Sequence, residues 1–161
     1  MDPGLCRDHL AGLLGEESAL LGELEELLER ERHVLESSDI AALEATTRAR
    51  QERMGALARI EDQRRSLCGM HGYSPDRAGL DQLIAWCDPH GTLMPRLREC
   101  AERAVRCRDF NDRNAMIVGT RLKRVQGMLD SLTGSPVRSD TYDSQTLKGR
   151  AGRPGRILGA A

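Results

Sequence analysis

Apolar and small residues recur at Leu97, Cys100, Ala101, Ala104, Cys107, Ala115, Val118, Leu122, Val125, Met128, Leu129 and Leu132. Steps of three and four residues keep one face of a helix apolar, whereas a strand would alternate. The pattern predicts one long helix over residues 92–132. Thr92 stands where a hydroxyl can accept a first-turn N–H. Pro95 falls in the first turn, where its missing N–H matters least, and Gly134 and Pro136 stop the helix. At about 1.5 Å per residue it is on the order of 60 Å long, and a helix of that length needs partner helices to hold it in water. Asn111 and Asn114 interrupt its seam. A buried amide is unfavourable unless paired, and a paired one fixes helix register. Two readings follow: a half-exposed structural pair, or a polar notch at which a partner is read.

The rest of the chain repeats the helical period. Leu10, Leu13, Leu14, Leu20, Leu21, Leu24, Leu27, Leu28, Val34 and Leu35 predict a first helix over about residues 5–35. Ser37, Ser38 and Asp39 break it and cap the next. A thinner stripe of Ile40, Leu43, Thr47, Met54, Leu57, Ile60 and Leu67, filled in by alanines, predicts a second helix over about 40–67. The short connection makes these two an antiparallel hairpin. Leu80, Leu83, Ile84 and Trp86 predict a short helix over 76–87, with the lone Trp expected as a core plug at one end of the bundle. The fold class is therefore all-α: an elongated antiparallel bundle of three long helices plus one short one, spanning residues 1–133. Residues 134–161 lose all periodicity, carry Arg138, Lys148, Arg150, Arg153 and Arg156 among glycines and prolines, and are expected to be a flexible basic tail.

Charge refines this picture. The first helix is acidic, with Glu16, Glu17, Glu23, Glu25, Glu26, Glu29, Glu31 and Glu36 against Arg7, Arg30 and Arg32. The last is basic, with Arg96, Arg98, Arg103, Arg106, Arg108, Arg113, Arg121, Lys123 and Arg124 outnumbering its acids. Opposite signs favour packing side by side, within one chain or between two, so a homodimer stays open. Each surface pair is worth about 0–1 kcal/mol, so charge selects the pairing while leucine burial drives it. Only 2% of the 161 residues are aromatic and 30% are charged, the composition of long amphipathic helices. A net charge of −1 gives no global reason to expect a nucleic acid or a membrane surface as partner. No apolar run approaches the ~20 residues a membrane span requires, and the first residues lack a signal pattern, so a cytoplasmic location with five reduced thiols is expected.

Candidate chemistry is sparse. No phosphate loop or nucleophile elbow is present, the carboxylates lie on solvated faces, and neither an enzyme nor a cofactor is expected. Cys68 with His71 and Cys87 with His90 form two C-x-x-H pairs, and two Cys with two His could hold zinc. Their spacing is not that of a specific zinc pattern, and each Cys completes an apolar face, so a zinc-binding module is kept only as an alternative. The basic stretch around Arg150, Arg153 and Arg156 could enter a DNA minor groove. As a single copy without aromatic interleaving it reads better as a solvated tail. What remains is an over-wide, Met-rich stripe near the end of the last helix, from Met116 to Leu132. It suits docking of another helix, or is covered by the N-terminal helix.

The stretch RDFNDRN at residues 108–114 is similar to the R-D-L-N-x-x-N signature of the FlgN family of flagellar export chaperones. IEDQRR at 60–65 resembles that family's L-E-x-Q-R-R, Trp86 falls where it has a Trp, and TYDSQT at 141–146 looks like its tail motif. The resemblance covers roughly residues 5–146. It implies a non-enzymatic cytosolic chaperone that binds amphipathic C-terminal segments of the hook–filament junction proteins FlgK and FlgL and escorts them to the export gate. It further implies client contacts along the last helix, here Asn111, Asn114, Val118, Leu122, Val125, Met128, Leu129 and Leu132. It places docking to the gate's platform protein at Tyr142. Ala115 and Asp143 stand where the family often has Gly; the second difference alters the turn next to that Tyr.

Overall fold

The computed structural model describes residues 2–134. Among them are four helices and no strand: α1 (Pro3–Ser37), α2 (Ile40–Met70), α3 (Arg77–Cys87) and α4 (Leu93–Thr133). The three long helices and the short one are those the periodicity predicts. Residues 135–161, which hold the expected basic tail and Tyr142, lie outside the described residues. The chain divides into two units, Met1–Leu122 and Lys123–Ala161.

Aspartates start three of the helices. Asp2 accepts the Gly4 N–H at 3.1 Å, Asp39 the Ala42 N–H at 3.0 Å and Asp76 the Gly79 N–H at 2.8 Å, each satisfying a donor that the first turn leaves open. Ser38 closes α1 in the left-handed region at φ 63°, its N–H donating to the Val34 carbonyl at 3.0 Å. The break at residues 37–39 thus ends one helix and starts the next, as expected. Gly79 is obligatory for a different reason: the Ser74 carbonyl oxygen lies 1.9 Å from where a Cβ would stand.

The start of α4 corrects the assignment of Thr92 as its cap. Asp88, buried at the end of α3, accepts the Leu93 N–H at 2.6 Å, and the Thr92 hydroxyl donates to the same carboxylate at 3.1 Å. Burial works against the charge of Asp88, but the Leu93 N–H and the Thr92 hydroxyl outweigh it and hold the carboxyl below the usual range. A carboxylate takes the place of the hydroxyl because it can accept both donors at once.

Within the first unit the leucine stripe of α1 is the centre of the core. Cys6, Leu10, Leu14, Leu21, Leu24 and Leu28 pack with Leu67 and Cys68 of α2, Leu83, Ile84 and Cys87 of α3, and Leu93, Leu97, Cys100 and Cys107 of α4. Each fully buried Leu contributes about 1.5–3 kcal/mol. The register between α1 and α4 is written in side-chain donors. The Cys100 thiol faces the Leu14 carbonyl at 3.5 Å, Cys107 faces that of Leu21 at 3.6 Å, and the Asn114 amide donates to that of Leu28 at 2.9 Å. Three donors seven residues apart meet three carbonyls seven residues apart, so the two helices run in the same direction in a heptad seam. Small thiols at the seam let the backbones approach. Burial pushes both thiols up to about 11, so they stay protonated and able to donate.

The α1–α2 pair is antiparallel, with Arg64 against Glu17, Arg53 against Glu23 and Arg50 against Glu31. Arg106 and Arg103 of α4 reach Glu25 at 2.8 and 3.9 Å. The acids of α1 are therefore shared between both neighbours rather than reserved for the basic last helix.

Trp86 corrects a second expectation. It is 39% exposed, not a core plug. Leu83, Ile84 and Cys87 turn inward from α3 instead, and the indole lies tilted against His71 with ring centroids 5.0 Å apart. An eleven-residue helix has one buried face, and residue 86 is off it.

Candidate docking surface

The apolar stripe of α4 splits into two parts. Leu97, Cys100, Cys107 and the amide of Asn114 are buried. From Met116 onward the large apolar side chains other than the half-buried Ile117 are exposed. In the first unit Met116, Val118 and Leu122 face solvent, Leu122 by 64%. In the second unit Val125, Met128, Leu129 and Leu132 are likewise exposed, Leu132 by 83%. Scattered apolar residues on a surface are ordinary; a run at helical spacing is not, because a chain gains nothing by aligning them toward water.

Within the first unit a polar cluster joins three helices. Asn114, 4% exposed, spends its amide inside the fold: Nδ2 donates to the Leu28 carbonyl and, at 3.0 Å, to Glu31 Oε2. Glu31 is itself 4% exposed and also accepts from Arg50 Nη1 at 3.4 Å. Arg50 spans from α2 to donate to Asn111 Oδ1 of α4 at 3.0 Å. A cleft of about 420 Å³ lies beside these groups, lined by Leu35, Leu43 and Val118 among others. Asn111 and Asn114 thus differ: Asn111 is exposed at the edge of the cleft, while Asn114 is a register-fixing group beneath it. Arg121 closes this end of α1, donating to the Glu36 carbonyl and the Ser38 hydroxyl, both at 3.0 Å. There the cation faces the negative end of the helix.

The two C-x-x-H pairs are not assembled. Cys68 and Cys87 are core residues, His71 is half-buried against Trp86 with its Nε2 unpaired, and His90 is exposed. Among the described residues no three His, Cys, Asp or Glu side chains are grouped so that they could hold a metal ion. None of the described helices is long and apolar enough to cross a membrane. The sequence pattern placed Glu31 among the acids of a solvated face and gave no reason to single out Arg50. The signal that could have found Glu31 is the step of three from the seam leucine Leu28, which puts its carboxylate on a buried face; no such local signal marks Arg50.

Compared with known families, the chain matches the FlgN protein family over residues 5–147. No curated protein and no solved structure matches it.

Proposed function

We infer that this chain, which belongs to the FlgN family and is a flagellar export chaperone, binds the amphipathic C-terminal segments of the hook–filament junction proteins FlgK and FlgL and escorts them to the export gate. The observation that carries this reading is the exposure of large apolar side chains at helical spacing, Val118 and Leu122 in the first unit and Val125, Met128, Leu129 and Leu132 in the second. A client helix laid along it gains apolar burial without any enclosed pocket, and the methionine adapts to more than one client side chain. Asn111 stands at the edge of the cleft as a polar contact. Asn114 supports the surface by holding α4 in register on α1. Release into an export channel calls for moderate affinity, near the micromolar range or on the order of −8 kcal/mol. Binding of this kind involves no hydrolysis, and Glu17, Glu23, Glu25 and Glu31 of α1 serve as ion-pair partners of arginines on α2 and α4.

Calorimetric titration of the full chain with C-terminal peptides of FlgK and FlgL, beside a scrambled peptide, tests the reading. Saturable binding with a negative heat-capacity change supports apolar helix docking, and Leu122→Asp or Val125→Asp abolishes it while leaving helicity unchanged. Absence of binding by either peptide refutes the client assignment, and unfolding of both variants would make the face a core. Tyr142, outside the described residues, is proposed as the contact to the platform protein of the gate. Tyr142→Ala should keep peptide affinity and lower client secretion, and undiminished secretion would remove that role.

A further inference from the structure

A second cavity, of about 330 Å³, opens between α2 and α4 over the middle of α1. Its apolar lining comes from Leu21, Leu24 and Leu28 of α1, Met54 and Leu57 of α2, and Ala104 of α4. The only charged residues that line it are Arg50 and Arg108; no carboxylate does. Arg108 makes no ion pair among the described residues, and Arg50 has its Nε buried without a hydrogen-bond partner. A cavity with an apolar floor and two incompletely compensated guanidiniums fits an apolar side chain with a carboxylate beside it, because the planar guanidinium pairs carboxylates in two-point geometry. The cavity also shares Arg50 and Asn111 with the cleft that reaches Val118. From Ala104 to Val118 is roughly 20 Å of helix, so one extended helical ligand can occupy both.

We propose that the cavity between α2 and α4 is part of the client site, taking an apolar side chain of the client helix while Arg108, with Arg50, takes a carboxylate about one turn away. This rests on the chaperone reading above and adds the chemistry of the ligand: an amphipathic helix carrying acid next to its apolar stripe. Within the first unit the binding surface then extends from Val118 and Leu122 over α1.

The test uses the full chain and the same FlgK and FlgL peptides, with Ala104→Trp to fill the cavity and Arg108→Glu to reverse its charge. Both positions are exposed, so circular dichroism and the urea midpoint should match wild type. Each variant is expected to weaken peptide binding about tenfold or more. The Arg108→Glu effect should shrink at high salt and be reversed by one peptide in which an acidic residue is replaced by lysine. Wild-type affinity in both variants, with Leu122→Asp still defective, overturns the cavity assignment and leaves the chaperone reading intact. Failure of the unmodified chain to bind either peptide overturns both. A concentration-dependent dimer abolished by Ala104→Trp, with peptide affinity unchanged, would give the cavity to a second copy of the chain and also overturn the proposal.

Discussion

Removing the Asn114 amide is the sharpest test of how α4 is held. Asn114→Ala deletes two hydrogen bonds, one to the Leu28 carbonyl at 2.9 Å and one to the Glu31 carboxylate at 3.0 Å. A neutral hydrogen bond contributes about 0.5–1.5 kcal/mol net, and one to a charged group about 1.5–3. The sum is about 2–4 kcal/mol. The larger part arises because Glu31, whose side chain is 6% exposed, keeps only the 3.4 Å contact to Arg50. Urea unfolding of the full chain followed by circular dichroism measures this directly, with the slope unchanged if compactness is preserved. A cycle with Glu31→Gln should return a coupling of about 1 kcal/mol or more, since the two groups share one hydrogen bond. A loss below about 0.5 kcal/mol for Asn114→Ala would show that the buried amide does not fix the register, and the heptad argument for α1 and α4 would fall with it.

Two further outcomes follow from the buried groups. Burial raises the thiols of Cys100 and Cys107 to about 11 and that of Cys87 to about 12, against 9.0 unperturbed. The folded chain therefore holds more thiol protons than the unfolded one between those values. Stability is unaffected by these groups below pH 9 and declines as pH rises toward 11–12, which urea midpoints across that range check; a flat profile would contradict the burial. Burial likewise raises the Glu17 carboxyl, more than the facing Arg64 at 2.6 Å lowers it. Arg64→Ala strands that carboxylate and should destabilise by about 2 kcal/mol near pH 7, and by less near pH 4, where Glu17 takes up a proton. An equal loss at both values would show that the pair does not matter.

Most of the fold was legible in the sequence, since helical periodicity and the break and cap at residues 37–39 are local properties of the chain. The antiparallel hairpin follows from a connection too short for anything else. The candidate surface was legible only in part. The over-wide stripe beyond Met116 was visible as a pattern, but a stripe destined for a core and one destined for a ligand have the same period. Trp86 was misread because its neighbours Leu83 and Ile84 are core residues, and spacing on a short helix separates adjacent faces poorly. Asp88 was missed as a cap because it lies five residues before the backbone N–H it accepts, farther than a local motif reaches.

Local pattern alone was therefore enough to give the number, order and approximate extent of the helices, their packing through leucine, and the family resemblance carried by RDFNDRN. Packing between distant segments set which part of α4 is buried, turned Asn114 inward while Asn111 stays at the surface, and brought Arg50 of α2 to α4. The physical reason is that helix formation depends on neighbours within four residues, whereas burial depends on which distant segment shares a face. The contacts that separate Asn114 from Asn111 join residues more than sixty positions apart.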